Sequence, residues 1–258
     1  MRILLANDDG ITSDGIRALA KSLSEIAEVY VFAPNIQKSA SGHGMTIRSK
    51  FGIRKADFEN AVFAYEIAGT PVDCVKIGIQ LMREKGLEPD IVVSGINHGE
   101  NLGTDTVYSG TVAAAMEGFI KGYPAVAVSV EGHRPYHFEY AAKLANEAVL
   151  KLAERPGVRT VININTPNIP AEEVKGVRIA ALGPREYIDR YEYLETDSDG
   201  FDIYETRGGR VIHDDIPKDL DVMVIYDNYA TITPLRDDYT DYSLLDEVRT
   251  WGFEKDEQ

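Results

Sequence analysis

Two adjacent carboxylates, Asp8 and Asp9, close the opening run MRILLANDDG. An acidic pair set against Ile3, Leu4 and Leu5 is costly unless a cation or solvent compensates its charge. Further oxygen donors stand just after two other apolar runs: Ser39 in the loop following VYVFA (29–33), and Asn97 in SGINHGENLG following DIVVS (90–94). Carboxylates, a serine hydroxyl and an asparagine carbonyl are hard donors, the set that suits Mg2+, Mn2+ or Ca2+ and not a thiolate-seeking metal. Read alone, DDG is equally a helix-capping turn with solvated acids. Consecutive strand residues point to opposite faces, so Asp8 and Asp9 converge only where the chain leaves strand geometry, which Gly10 permits.

A second cluster is YSGTVAAAMEG. Tyr108, Ser109, Gly110 and Thr111 precede an alanine-rich helix expected to start at Thr111. Free backbone N–H groups and two hydroxyls would face whatever lies beyond that helix start, a place suited to an anion. The plain alternative is an ordinary N-cap on a helix packed tightly against a sheet. Gly95, Gly99 and Gly103 in the preceding loop imply backbone held close to a ligand or in unusual dihedrals. Of the five histidines, His43 and His98 fall in these loops and read as surface-loop residues; His133, His137 and His213 lie elsewhere. None has the HExxH spacing of a zinc site.

The elements that must position these residues alternate along the first two thirds of the chain. After the strand Ile3 to Ala6, Ser13 or Asp14 caps a helix whose apolar stripe is Ile16, Leu19, Leu23 and Ile26. VYVFA is a buried strand ended by Pro34, and a long loop to Gly44 carries Ser39, Ser41 and Gly42. Met45 to Ile53 and Ala61 to Ile67 read as extended. TPVD then places Thr70 at an N-cap, Pro71 at the first helical position and Asp73 in a capping box, opening a helix to about Lys85. Strands at 90–94, 125–130 and 160–165 are separated by helices from Thr111 and over 138–154. Apolar strands alternating with amphipathic helices indicate an α/β fold: a doubly wound, Rossmann-like, mostly parallel sheet with helices on both faces. Ligands bind such sheets beyond the carboxyl ends of the strands, where Asp8, Asp9, Ser39 and Asn97 all fall.

Past Pro167 the pattern changes to short, aromatic-rich pieces, VRIAAL, YIDRYEYL, FDIYET, RVIHDD, VMVIYD and YATITPL, all read as extended. They suggest hairpins on the sheet edge or in a protruding arm suited to a subunit contact. The expected organisation is one domain over 1–258, with a Rossmann-like core over 1–170 and a β-rich part with arm and tail over 171–258.

Composition excludes several classes. Forty-two acids against 27 bases give a net charge of −15, which repels duplex nucleic acid. No apolar stretch reaches the roughly 18 residues of a membrane span. The start of the chain lacks a secretory pattern, so a cytoplasmic location is expected. The single cysteine, Cys74, lies at helical spacing among apolar residues and reads as a buried structural thiol.

ILLANDDG with DGI at 14–16, APNIQKSASGHG, AGTPVDCVKIG, VVSGINHGENLGTDTVYSGTVAAAMEG, GYPAVAVS, NINTP and ITPL, in order to about residue 235, together resemble the survival protein E (SurE) family of 5′-nucleotidases. The resemblance implies a metal-dependent phosphatase acting on nucleoside 5′-monophosphates, with some members also taking 3′-nucleotides or short polyphosphate. It implies one divalent ion per subunit, Mg2+ or Mn2+ with Ca2+ as a substitute, held by Asp8, Asp9, Ser39 and Asn97. It implies a C-terminal hairpin arm exchanged between subunits of a homodimer or homotetramer. Ala6 stands where the family pattern has threonine, and the arm lacks the tryptophan common there. Asp8 and Asp9 are the candidate catalytic groups; Asn97, Ser109, Gly110, Thr111, Ser41, Gly42 and Asn101 are the candidate phosphate contacts. The residues leave open whether water or an aspartate attacks phosphorus.

Three other classes compete. A signalling receiver domain shares the acidic pair but needs a phosphoacceptor Asp at a later strand end, and DIVVS ends in serine. A dinucleotide-dependent oxidoreductase needs a GxGxxG turn where this chain has DDGITSDG. A non-catalytic nucleotide-binding protein would keep the anion site without needing the acidic pair.

Overall fold

The computed structural model describes residues 1–132, 134–211 and 215–253. In chain order the elements are β1 (Arg2–Ala6), α1 (Asp14–Leu23), β2 (Glu28–Pro34), β3 (Ile53–Ala56), β4 (Phe63–Ile67), α2 (Pro71–Glu84), β5 (Ile91–His98), α3 (Gly110–Ile120), β6 (Ala125–Val130), α4 (Glu139–Ala153) and β7 (Val161–Thr166). There follow β8 (Val177–Ile179), β9 (Glu186–Ile188), β10 (Tyr191–Thr196), β11 (Asp202–Thr206), β12 (Gly209–Val211), α5 (Asp221–Val224), β13 (Ala230–Leu235) and α6 (Leu245–Arg249).

Nine strands form one sheet in the order β3-β4-β2-β1-β5-β6-β7-β13-β8. Within this sheet, among the described residues, the β3/β4 and β13/β7 pairs are antiparallel and the others parallel. From β1 the chain moves outward through β2 to β4, then returns to place β5 on the other side of β1, so the strand order reverses between β1 and β5. A crevice opens beyond the carboxyl ends of the strands at such a reversal.

Both faces are covered, as the alternation along β1 requires. Ile3 and Leu5 pack with Ile16, Leu19 and Leu23 of α1 and with Leu144, Val149 and Leu152 of α4. Leu4 and Ala6 turn to the opposite layer, formed by Cys74, Val75, Ile79 and Met82 of α2 and by Val112, Ala114 and Ala115 of α3. Each fully buried aliphatic side chain of this kind contributes roughly 1.5–3 kcal/mol. Cys74 is buried here as a free thiol. Ser13 caps α1, and Thr70 with Asp73 forms the capping box of α2.

The structure departs from the sequence reading in several places. Of Met45 to Ile53 only Ile53 is in a strand, as the first residue of β3; residues 45–52 form none, with a bend at Arg48 and Ser49: Met45 and Ile47 are exposed, so no sheet face receives them, and Arg48 has a positive φ. VMVIYD is helical, because Val222 and Ile225 are buried with Leu102 in a small cluster and the Asp221 carboxylate accepts the Val222 N–H. Ile26 lies beyond α1 but still packs on its core. β5 runs on past DIVVS to His98 through a register shift between Ser94 and Asn97. Gly95 makes that shift feasible: its φ is +130°, and a Cβ there would lie 2.3 Å from the Val128 carbonyl oxygen.

The residues past 170 are not set apart from the sheet, since β8 and β13 extend it. The β10/β11 hairpin and the β9/β12 pair form two separate ribbons. Of RVIHDD, residues 212–214, His213 among them, lie outside the described residues, as does His133. Among the described residues no helix is long and apolar enough to cross a membrane.

Asp73 has a second duty besides its cap. Its carboxylate accepts the Thr46 N–H at 2.9 Å and the Thr46 hydroxyl at 2.6 Å, which ties the long loop after β2 to the start of α2. Burial would raise its pKa, but the hydrogen bonds from Thr46 and Thr70 outweigh it and hold the group below 3.8. Asp73→Ala should cost about 1–3 kcal/mol, read as a lower urea midpoint at unchanged m-value. Because the folded-state pKa is depressed, the wild-type advantage is complete above the unfolded value of 3.8 and fades as pH falls through the folded value. A gap that stays constant down through that range would contradict this origin.

Candidate active site

The acidic pair leaves β1 through a turn fixed by its neighbour. Asn7, fully buried, donates from Nδ2 to the Gly10 carbonyl at 2.9 Å and to the Ser13 hydroxyl at 3.0 Å. This joins the end of β1 to the cap of α1 and lets Asp8 and Asp9 depart from strand alternation. Asp8 is 4% exposed. Its Oδ1 accepts a hydrogen bond from the Thr111 hydroxyl, and its carbonyl accepts the Lys38 N–H at 2.7 Å. Asp9 accepts from the His98 N–H at 2.9 Å on Oδ2 and from Gln37 Nε2 at 3.0 Å on Oδ1. The pair is therefore gripped by the start of α3, the end of β5 and the loop after β2.

Gly110 is where these segments touch. A Cβ at that position would come within 2.8 Å of Asp8 Cβ, 2.8 Å of Ser41 Oγ and 3.0 Å of Asp8 Oδ2. Asp8 and Ser41 thus border the same small space over the first residue of α3. Gly42 N–H donates to the Tyr108 carbonyl at 2.9 Å, closing the loop onto this helix start. Ser41 Oγ is buried with no hydrogen-bond partner. Ser109 is the N-cap of α3, its hydroxyl accepting the Val112 N–H at 3.1 Å, so the helix begins one residue earlier than the sequence suggests. The hydroxyls of Ser109 and Thr111 are already engaged, whereas that of Ser41 is not.

The remaining candidates occupy distinct settings. Asn97 stands in the extended end of β5 and spends Nδ2 on the Gly99 carbonyl at 2.7 Å, which leaves its amide oxygen for another partner. Ser39 is exposed and follows Lys38, whose N–H is bound to Asp8. Asn101 is 7% exposed and turns inward: Nδ2 donates to the Ser129 hydroxyl at 2.8 Å. His98 is no free surface residue; its ring stacks on Tyr136 and Phe138, and Nδ1 lies 3.5 Å from Asp9 Oδ2. Sequence reading passed over Asn7, Gln37 and Lys38, and only the Asn before DDG carried a signal, as a side chain able to bond its own turn.

Electrostatics favour a cation here. Burial drives the Asp8 carboxyl up to about 6; the Thr111 hydrogen bond opposes that rise and the neighbouring Asp9 charge adds to it. The acidic pair, with the Asn97 amide oxygen left free at the end of β5, fits a hard divalent ion by donor chemistry. Among the described residues no three of His, Cys, Asp and Glu converge at ligand separations, so any ion must draw on neutral oxygens as well. β5 ends in Asn97 and His98, which leaves that strand end without the phosphoacceptor aspartate of a receiver domain.

Comparison with known proteins agrees with this arrangement. The model of the family described as survival protein SurE matches residues 3–189. The chain belongs to the SurE family. A 5′-nucleotidase SurE from Petrotoga mobilis is 42% identical over 257 residues, covering 97% of this chain and 99% of the relative. A 5′/3′-nucleotidase SurE from Citrobacter koseri is 43% identical over 256 residues, covering 97% and 96%. The crystal structure of the SurE protein from Aquifex aeolicus matches with a TM-score of 0.80 at 35% identity, over 97% of this chain and 99% of that one. The doubly wound SurE fold is therefore shared along nearly the whole chain.

The close approach at Gly110 generates a test. Gly110→Ala should destabilise the protein by about 1–3 kcal/mol through overpacking against Asp8 and Ser41, lowering the thermal midpoint by roughly 2–10 °C. Gly209→Ala, where a Cβ meets nothing within 4 Å, serves as the control with little change.

Proposed function

We propose that this protein is a metal-dependent 5′-nucleotidase, a phosphoric monoester hydrolase that releases phosphate from nucleoside 5′-monophosphates. The observation that carries the reading is the junction at Gly110, where a buried carboxylate, an unpartnered serine hydroxyl and a helix N-terminus border one space at the reversal of strand order. The names of the relatives support the same activity.

Asp8, Asp9, Ser39 and Asn97 hold one Mg2+ or Mn2+ ion. When bound, such an ion neutralises phosphoryl charge and makes water nucleophilic near neutral pH. The residues of the chain do the rest. Gln37 and His98 fix the orientation of Asp9, and the Thr111 hydroxyl fixes that of Asp8. Ser41 Oγ donates to a phosphate oxygen, and the N-terminus of α3 faces the charge that builds on the phosphoryl group during in-line displacement. Asp8 or Asp9 takes the proton of the attacking water; Asp8 Oδ2, on the side of Gly110, is the oxygen of Asp8 that Thr111 leaves free for it. The same grip accepts 3′-nucleotides and short polyphosphate, which present equivalent terminal oxygens.

Wild-type protein with Mn2+ or Mg2+ should release phosphate from AMP continuously, and EDTA should stop it. Asp8→Asn should reduce kcat by roughly 100-fold or more while circular dichroism stays native, since it removes ligand charge at nearly constant volume. Turnover that persists in chelated, metal-free protein would reject the mechanism, and a protein inert towards every nucleotide would reject the activity.

The arm supplies the assembly. The β10/β11 hairpin exposes Tyr191, Tyr193, Leu194, Phe201 and Tyr204, an apolar aromatic surface that fits a second copy of the chain in a homodimer or homotetramer. Charging it with Tyr193→Asp and Leu194→Asp should lower the mass in sedimentation equilibrium. An unchanged mass would remove the arm from the interface.

A further inference from the structure

Two fully buried asparagines on β7 are unexplained by the sheet they belong to. Asn163 and Asn165 are two residues apart and so share a face, each at 0% exposure in a strand otherwise built of Val161, Ile162, Ile164 and the terminal Thr166. A buried amide is costly unless its partners are supplied. Here the partners come from one residue, Asn101, while Asn163 Oδ1 is left without one among the described residues. Asn165 Oδ1 accepts the Asn101 N–H at 2.7 Å, and Asn165 Nδ2 donates to the Asn101 carbonyl at 3.1 Å. Asn163 Nδ2 donates to the same carbonyl at 2.9 Å. The side chain of Asn101 donates to Ser129, whose strand position pairs with Asn165 across β6 and β7.

The Asn165 amide thus acts as a substitute strand residue, meeting both main-chain polar groups of Asn101 as a ladder partner would. The grip falls in the single segment joining Asn97 to Ser109. On one side, Asn97 is tied to Gly99 and Gly99 N–H to the Val130 carbonyl. On the other, Leu102 is buried, Gly103 N–H donates to Asp221, and the 3-10 turn Gly103–Val107 runs into the α3 cap, with Ser109 N–H donating to the Asp105 carbonyl. No slack separates the clamp from either end.

From this geometry we infer that Asn163 and Asn165 are positioning residues for the phosphate grip, acting through Asn101 to set Asn97 and the start of α3 relative to Asp8. The inference rests on the nucleotidase reading for its kinetic consequence but not for its structural one. Displacing a catalytic group by about 1 Å is enough to cost roughly 100-fold in rate.

The test compares Asn165→Asp, which keeps the acceptor for Asn101 N–H and loses the donor, with Asn165→Leu, which loses both. AMP hydrolysis with Mn2+, inhibition by inorganic phosphate, thermal melting and amide hydrogen exchange are measured on each intact protein. The expected result is a graded fall in kcat/KM, roughly 10- to 100-fold for Leu and less for Asp, with weaker phosphate inhibition and faster exchange confined to 97–111. Variants that melt earlier yet keep wild-type kcat/KM and phosphate inhibition would overturn the inference, because a purely structural role predicts that pattern. If Asn165→Leu does not fold, Asn165→Asp and Ser129→Ala decide by the same criteria. If the wild-type protein hydrolyses no nucleotide, the nucleotidase reading fails and exchange alone decides here: unchanged exchange over 97–111 in the variants overturns the clamp.

Discussion

The Asp8 carboxylate is buried where the end of β1 meets the start of α3, and much of the surrounding structure answers the cost of that burial. A charge removed from water needs donors or a counter-ion close by. Thr111 supplies one donor, and the absence of a side chain at Gly110 lets helix and strand approach closely enough for it to reach. The acid also stands where strand order reverses between β1 and β5, so its carboxylate faces a crevice bounded by neighbouring loops instead of the side of a helix. A helix of small residues suits the position for the same reason: Ala114, Ala115 and Gly118, where a Cβ would lie 2.5 Å from Val92 Cβ, let α3 lie low on the sheet.

A helix start and a strand end are rigid, but the third wall of the site is a long loop, and its order has to be imposed from outside. The loop is tied near its beginning by Lys38 to the Asp8 carbonyl, in its middle by Gly42 to Tyr108, and farther on by Thr46 to Asp73. His43 adds a contact at 3.0 Å to Glu117, which projects from α3 at 3% exposure. Burial would raise the Glu117 pKa, yet His43, Lys76 and Lys121 around it hold the group below its ordinary value. Two buried acids, Asp73 and Glu117, thus restrain the segment that carries Ser39 and Ser41. Loop order bought from the helices leaves the serine side chains themselves free for a ligand.

The parts of the fold legible in the sequence are those where a local signal and the tertiary outcome coincide. Strand 125–130 and the TPVD capping box announce themselves by apolar runs and cap chemistry, and both form as read. Asp8, Asp9, Ser39 and Asn97 could be assigned to one sheet edge because strand ends must share it. What stayed hidden depends on distant partners. VMVIYD has strand residues but is helical because Leu102 packs on it and the backbone N–H groups of Gly103, Gly183 and Val222 donate to Asp221, the residue before it. His98 reads as a loop residue because the register shift at Gly95 that prolongs β5 has no period of its own. The asparagines of NIN look like polar interruptions in a strand until Asn101 is placed over them.

The loop between β5 and α3 is held from the arm as well as from the sheet. Arg185, only 5% exposed at its side chain, spans Glu100 and Asp105 at 2.6 Å each, and Tyr187 of β9 donates to the same Asp105 at 2.7 Å. Removing one member of such a set strands a buried charge, which costs far more than the pair itself contributes. The base of the arm therefore cannot shift by itself: it must carry Glu100 and Asp105 with it or break two shielded ion pairs. Because those two residues flank the segment from Asn101 to Thr104, which Asn165 and Asp221 grip from the other side, the arm base and the candidate site border one doubly held segment. A load placed on the base of the arm is then transmitted to Glu100 and Asp105 through packed, ion-paired groups, because a close-packed interior passes strain on.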